Sequence, residues 1–118
     1  MSMRLVNMLI DNGSQDQIGR AVRGDGYYRL GDGFHTVAYY LRGFRGRIGL
    51  EASLSDDPTE DDWFELELSE DEFSTATTGI KAFNITGNYV YLRARVERSY
   101  LGLTSNVLGH CERVVLSL

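Results

Sequence analysis

The sequence predicts an all-β domain: an antiparallel β-sandwich of jelly-roll type built from eight or nine short strands. Three observations carry this. Apolar and polar residues alternate with period two in several separate segments, as in Ile48, Leu50, Ala52 and Leu54 set between Arg47, Gly49, Glu51 and Ser53. Turn signals recur at the spacing of a sandwich, and the chain holds 13 Gly against 1 Pro, the composition that tight turns and bulges require. Helical periodicity is nearly absent; only Ser69–Phe73 could supply a turn of helix.

Taken in order, Leu5–Ile10 reads as an apolar strand ended by the turn Asp11-Asn12-Gly13-Ser14. Gln17–Arg23 is weakly extended and runs into Gly24-Asp25-Gly26. Tyr27–Leu30 precedes a second turn, Gly31-Asp32-Gly33, and Phe34–Leu41, rich in aromatic and β-branched residues, is closed by Gly43. Arg47–Leu54 and Trp63–Leu68 form a hairpin, with Phe64, Leu66 and Leu68 on one face. Phe73–Thr78 reads as a short strand or an irregular edge broken by Gly79, and Lys81–Thr86 leads through Gly87-Asn88 to the best strand of the chain. There Val90, Leu92, Ala94 and Val96 alternate with Tyr89, Tyr91, Arg93, Arg95 and Glu97. Gly102–Asn106 is a turn region, and Cys111–Leu118 is the last strand.

A chain of 118 residues is one domain, spanning 1–118, and it is long enough to bury a core without staples. Hydrophobic residues make up 42% and charged residues 25%, as in ordinary globular domains. Neither a membrane-length apolar run nor a signal-peptide pattern is present, so no membrane association is expected. Cys111 stands alone, which rules out an internal disulfide.

The formal charge of −5 hides a pattern. Residues 1–47 sum to +3, residues 48–80 hold eleven acids and no Lys or Arg, and residues 81–118 again sum to +3. The acidic total disfavours direct nucleic-acid binding, and the pattern reads as an acidic middle between basic flanks. Eleven of the twelve basic residues are Arg, which is enriched at protein interfaces but also follows genomic base composition.

Two surfaces stand out as candidate contact surface. One is the acidic loop, with Asp56, Asp57, Glu60, Asp61 and Asp62 ahead of Trp63. The other is the polar face of the Tyr89–Glu97 strand, with Tyr89, Tyr91, Arg93 and Arg95. Such a face binds a flat partner or another subunit, or it is a solvated ladder of Arg stems over Tyr rings. Carboxylates this dense suit Ca²⁺ in number, but the EF-hand spacing is missing, so no metal is expected. His35, His110 and Cys111 lack zinc spacing, and as strand neighbours His110 and Cys111 point to opposite faces. The two Gly-Asp-Gly stretches precede no helix and read as turns, not phosphate loops. No catalytic set and no cofactor is expected. Trp63 and the tyrosines would suit stacking on a surface glycan.

Three stretches together resemble a known family. They are Gly24-Asp25-Gly26-Tyr27-Tyr28 with Asp32–Val37, Gly46–Leu54 leading to Pro58-Thr59-Glu60-Asp61-Asp62-Trp63-Phe64, and Ile85–Val96. They are similar to a β-sandwich module of virion structural proteins of tailed bacteriophages, particularly contractile-tailed phages of aquatic bacteria. The likeness spans residues 24–97, with Tyr91 at a usually aromatic position and Ile85 where Phe is usual. It implies a non-enzymatic structural protein of the tail, baseplate, neck, fibre or head, made in the host bacterial cytoplasm and carried in the virion. Its partners would be other virion proteins; separately, closed rotational symmetry is the usual outcome for so small a component, so copies of itself in a trimer or ring are expected. The alternative is a carbohydrate-binding module in a host-recognition assembly.

Overall fold

The computed structural model describes residues 5–24 and 33–117. Within them the fold is all-β and antiparallel: β1 (Leu5–Ile10), β2 (Gln17–Ile18), β3 (Val22–Arg23), β4 (Phe34–Ser53), β5 (Phe64–Leu66), β6 (Glu72–Thr86), β7 (Tyr91–Glu97) and β8 (His110–Ser117). Single 3₁₀ turns occur at Glu60–Asp62, Ser99–Leu101 and Ser105–Val107. The sheet order is β1-β8-β4-β7-β2, with β5 and β6 along the other edge of β4 and β3 beside β7.

The architecture turns on β4, whose 20 residues run through both layers of the sandwich. Its first half, Phe34–Arg42, lies between β6 and β8. Its second half, Arg47–Ser53, pairs with β7 throughout and with β5 from Leu50 onward. In the first half the odd residues Val37, Tyr39 and Leu41 are buried; in the second the even residues Ile48, Leu50 and Ala52 are. Because side chains alternate strictly, this change of parity needs irregular positions between the halves. They fall between Leu41 and Gly46, where the register against β6 shifts twice and Gly43 and Gly46 adopt φ +60° and +137°. A side chain at Gly46 would meet Arg98 Cγ at 2.4 Å and Glu97 O at 2.7 Å, so only glycine lets β7 approach the bend. Buried Tyr39 then ties the halves together by donating its hydroxyl to Gly49 O (2.7 Å), and burial pushes its phenol well above the usual range.

One hydrophobic core lies between the layers, with Phe44 edge-on to Phe73 and Tyr39 edge-on to Phe83. The layers nearly close into a barrel where β1 meets the segment after β2: Arg20 N–H donates to Met8 O (3.0 Å), and Gly19 N–H reaches across to Ala94 O (2.8 Å). Opposite the bend, Arg98 is a buried cation. It donates from Nη1 to Gly109 O (2.7 Å), from Nη2 to Ser14 O (2.9 Å) and from Nε to Gln15 O (3.1 Å), binding two loops to the end of β7.

Several expectations change. The strands are not all short: Gly43 and Gly79 do not end strands but sit inside β4 and β6, the latter 15 residues long. Gly79, at φ +137°, is one of the irregular points of β6. Ser69–Phe73 forms no helical turn, because Phe73 is drawn into the core at the start of β6. Phe64 does not share the burial of Leu68; it is 41% exposed and lies edge-on to Tyr89. Leu54 is exposed beyond the end of β4. Tyr27–Leu30 and most of the two Gly-Asp-Gly stretches lie outside the described residues.

Candidate functional site

The outward faces of the two layers differ sharply in chemistry. On the β5-β4-β7 layer, the register sets Glu51 opposite Arg93, Gly49 opposite Arg95 and Arg47 opposite Glu97. Arg93 Nε donates to Glu51 Oε1 at 2.7 Å, and both side chains are only 11% exposed. The other carboxylate oxygen of Glu51 takes Arg95 Nη1 at 3.4 Å, while Arg95 Nε donates to Glu97 at 2.6 Å. The acidic loop folds back onto this ladder. Glu60 meets Arg93 Nη2 at 3.3 Å, and the ring of Trp63 lies 4.1 Å from the Arg93 guanidinium carbon. Burial opposes the charge on Arg93, but the carboxylates of Glu60 and Glu51 outweigh it and hold its pKa above the usual guanidinium range.

The structure therefore brings Glu60, Trp63, Arg93 and Arg95 together and adds Glu51 and Glu97 to them. Tyr91 is half-buried at the start of β7, whereas Tyr89 lies before the strand begins and packs against the core instead of joining this face, donating its hydroxyl to Thr86 O. Asp62 is used within the loop, accepting the Thr59 N–H at 2.7 Å and the Thr59 hydroxyl at 3.1 Å. Asp56, Asp57 and Asp61 stay exposed at the loop tip. The carboxylates that converge do so on a guanidinium, and among the described residues no group of three or more His, Cys, Asp or Glu is placed to hold a metal ion. One face of the Trp63 indole carries Arg93, which leaves at most the other for a sugar ring. His110 is exposed with its Nδ1 2.7 Å from Asp11, whereas Cys111 is buried, so the two do point apart. Burial pushes the Cys111 thiol up to about 12. No helix among the described residues is long and apolar enough to cross a membrane.

The β6-β4-β8-β1 layer presents the opposite surface, which the sequence reading did not single out. Tyr40 lies between Ile80 and Arg113, and Arg113 neighbours Ile10. Two residues along, Ala38 lies between Ala82 and Val115, with Asn7 beyond; then Thr36 lies between Asn84 and Ser117, with Leu5 beyond. Of these twelve positions only Arg113 is charged, and its guanidinium carbon sits 4.3 Å from the Tyr40 ring centre. At the chain's average of 25% charged residues, twelve positions would hold three. Leu5, Ile10 and Ile80 are 67%, 64% and 60% exposed. Thr36 and Asn84 satisfy each other by a 2.9 Å side-chain hydrogen bond. The signal was present as alternation without charge in Thr36-x-Ala38-x-Tyr40 and Ile80-x-Ala82-x-Asn84. Only the register of four strands shows that these stripes adjoin.

Compared with known proteins, the chain matches no protein-family model, no curated protein and no solved structure.

Proposed function

We propose that this chain is a non-enzymatic structural protein of a tailed-bacteriophage virion that acts through protein–protein assembly. The observation that carries the assembly reading is the exposed face of the β6-β4-β8-β1 layer, where Leu5, Ile10 and Ile80 stand out to solvent and only Arg113 of twelve positions is charged, since exposed apolar groups gathered on one surface mark contact sites. The virion assignment rests on the resemblance over residues 24–97. The ionic face differs: Glu51, Arg93, Arg95 and Glu97 are bonded to one another, while Glu65, opposite Glu51 in the register, stays exposed beside them.

Immunogold labelling tests the proposal. Antiserum raised against the chain is applied to phage particles purified from lysates that express it, and the chain is sought in the same particles by mass spectrometry. Decoration at a defined position supports a virion component and locates it in tail, neck, fibre or head. Particles that lack the chain overturn the assignment. A carbohydrate-binding role would show instead as glycan binding lost in Trp63→Ala, and stacking of Arg93 on that indole argues against it.

A further inference from the structure

We propose that the uncharged face of the β6-β4-β8-β1 layer packs against the same face of a second copy of this chain, forming a two-fold pair. This deepens the assembly reading above by naming the partner and the surface, and it rests on that reading.

A second copy is the occupant that the charge distribution favours. Each chain carries −5, so copies repel at most approaches. The twelve positions hold no carboxylate, and their single cation, Arg113, lies over an aromatic ring of the same chain; at the margin beside them exposed Arg42 and Glu112 pair with each other at 3.8 Å. Two such faces meet with no unpaired acid to desolvate, and no oppositely charged partner is needed.

Size agrees. Four strands about 4.8 Å apart and three rows of side chains make a surface of about 400 Å² in projection. Its accessible area is larger because the side chains stand out from it, and this approaches the roughly 800 Å² per partner of a stable complex. The geometry also suits sheet-on-sheet packing, in which two aligned layers about 10 Å apart interlock through residues such as Ala38, Tyr40 and Val115. A face that is its own partner gives a closed two-fold pair and not an open filament.

The rival use of this layer is edge pairing through β6, whose outer side meets no other strand among the described residues. The two arrangements separate by mutation. Ile80 lies beside the β6 edge and Ile10 lies on β1, at the far side of the face. Burying a charge at either corner disrupts face packing, whereas edge pairing is touched only at Ile80.

Sedimentation of the full chain between 5 and 100 µM, in 0.15 and 1 M NaCl, is the test. The expected species is a dimer of the 13.3 kDa chain that persists at high salt. Ile80→Asp and Ile10→Asp should each weaken it by at least about 30-fold, as expected when an unpaired charge is driven into an interface, with the far-UV circular dichroism unchanged. Glu60→Gln, on the ionic face, should leave it intact. Ala38→Arg, at the centre, should abolish it; if that variant does not fold, the two exposed corner variants decide. A wild-type chain that is monomeric at 100 µM overturns the inference. So does a dimer indifferent to both corner variants, or one broken by Ile80→Asp alone. A monomer that still decorates phage particles sinks the two-fold pair while leaving the structural assignment standing.

Discussion

If the acidic middle of the chain is tied to its own β7 strand, Glu51 and Arg93 must be energetically coupled, and a double-mutant cycle of Glu51→Gln and Arg93→Gln measures that coupling. Their hydrogen bond is 2.7 Å long and both side chains are 11% exposed, which places it among charge-assisted bonds in partly desolvated surroundings. Bonds to charged groups of this kind contribute about 1.5–3 kcal/mol, so the coupling should fall in that range. The Glu60–Arg93 pair is the internal comparison. Glu60 is 84% exposed and its contact is longer, at 3.3 Å, so its coupling should be about 0.2–1 kcal/mol. Urea unfolding of the four variants of each cycle at 25 °C gives both numbers. Repeating the cycles in 1 M NaCl should largely remove the Glu60 coupling and leave most of the Glu51 coupling. A Glu51–Arg93 coupling no larger than that of Glu60 would refute the reasoning. The ladder would then be a set of solvated charges still open to a partner.

Three other outcomes follow from single residues. Arg98→Met should destabilise the fold by about 3–5 kcal/mol in urea unfolding, since a buried guanidinium with at least three carbonyl acceptors is lost and those carbonyls lose their donor; Arg98→Lys should recover only part, because an ammonium lacks the planar fork. Asp16 accepts the Ser99 hydroxyl and the Ser99 and Arg98 backbone N–H groups, which hold its carboxyl below the usual range. Its contribution to stability is therefore complete above about pH 4 and is lost as pH falls through its lowered folded value, so stability should fall less steeply with acid in Asp16→Asn than in wild type. Cys111, buried and with its thiol pushed up to about 12, should resist a maleimide reagent at pH 7.5 in the folded chain and react promptly in 6 M guanidinium; rapid labelling without denaturant would show that β8 is not packed as described.

Period-two alternation made the strands legible because it needs only neighbours in sequence. The long strands were not legible for the same reason. Gly43 looks like a terminator to a reader of local composition, yet the chain continues through it because β6 and β8 on one side of the bend, and β7 beyond it, supply hydrogen bonds on both edges. Whether a glycine ends a strand or bends it is decided by partners distant in sequence. The candidate site shows the same division. Trp63, Arg93 and Arg95 were identifiable as residue types out of place on an ordinary strand. Glu51, which binds both arginines, was hidden inside an apolar-alternating segment, and only the pairing of β4 with β7 exposes it.

The two faces explain each other. A chain of net charge −5 with an acid-rich middle would present a repulsive surface if its acids were spread evenly. Here Glu51, Glu60 and Glu97 are matched by arginines on one layer, while Glu65 of β5 stands exposed on that layer and Asp56, Asp57 and Asp61 project from the loop that joins β4 to β5. Two copies that approached through the ionic layers would bring these loop tips together, and like charges brought close cost several kcal/mol in an interface. Approach through the uncharged layers avoids this entirely. The acidic loop thus selects an orientation by repulsion, while the attractive contact is supplied on the opposite layer, a separation of roles by which specific interfaces reject wrong pairings. Neutralising the tip with Asp56→Asn, Asp57→Asn and Asp61→Asn should accordingly leave the affinity of the pair nearly unchanged and add association through the wrong layer, seen as species heavier than a dimer.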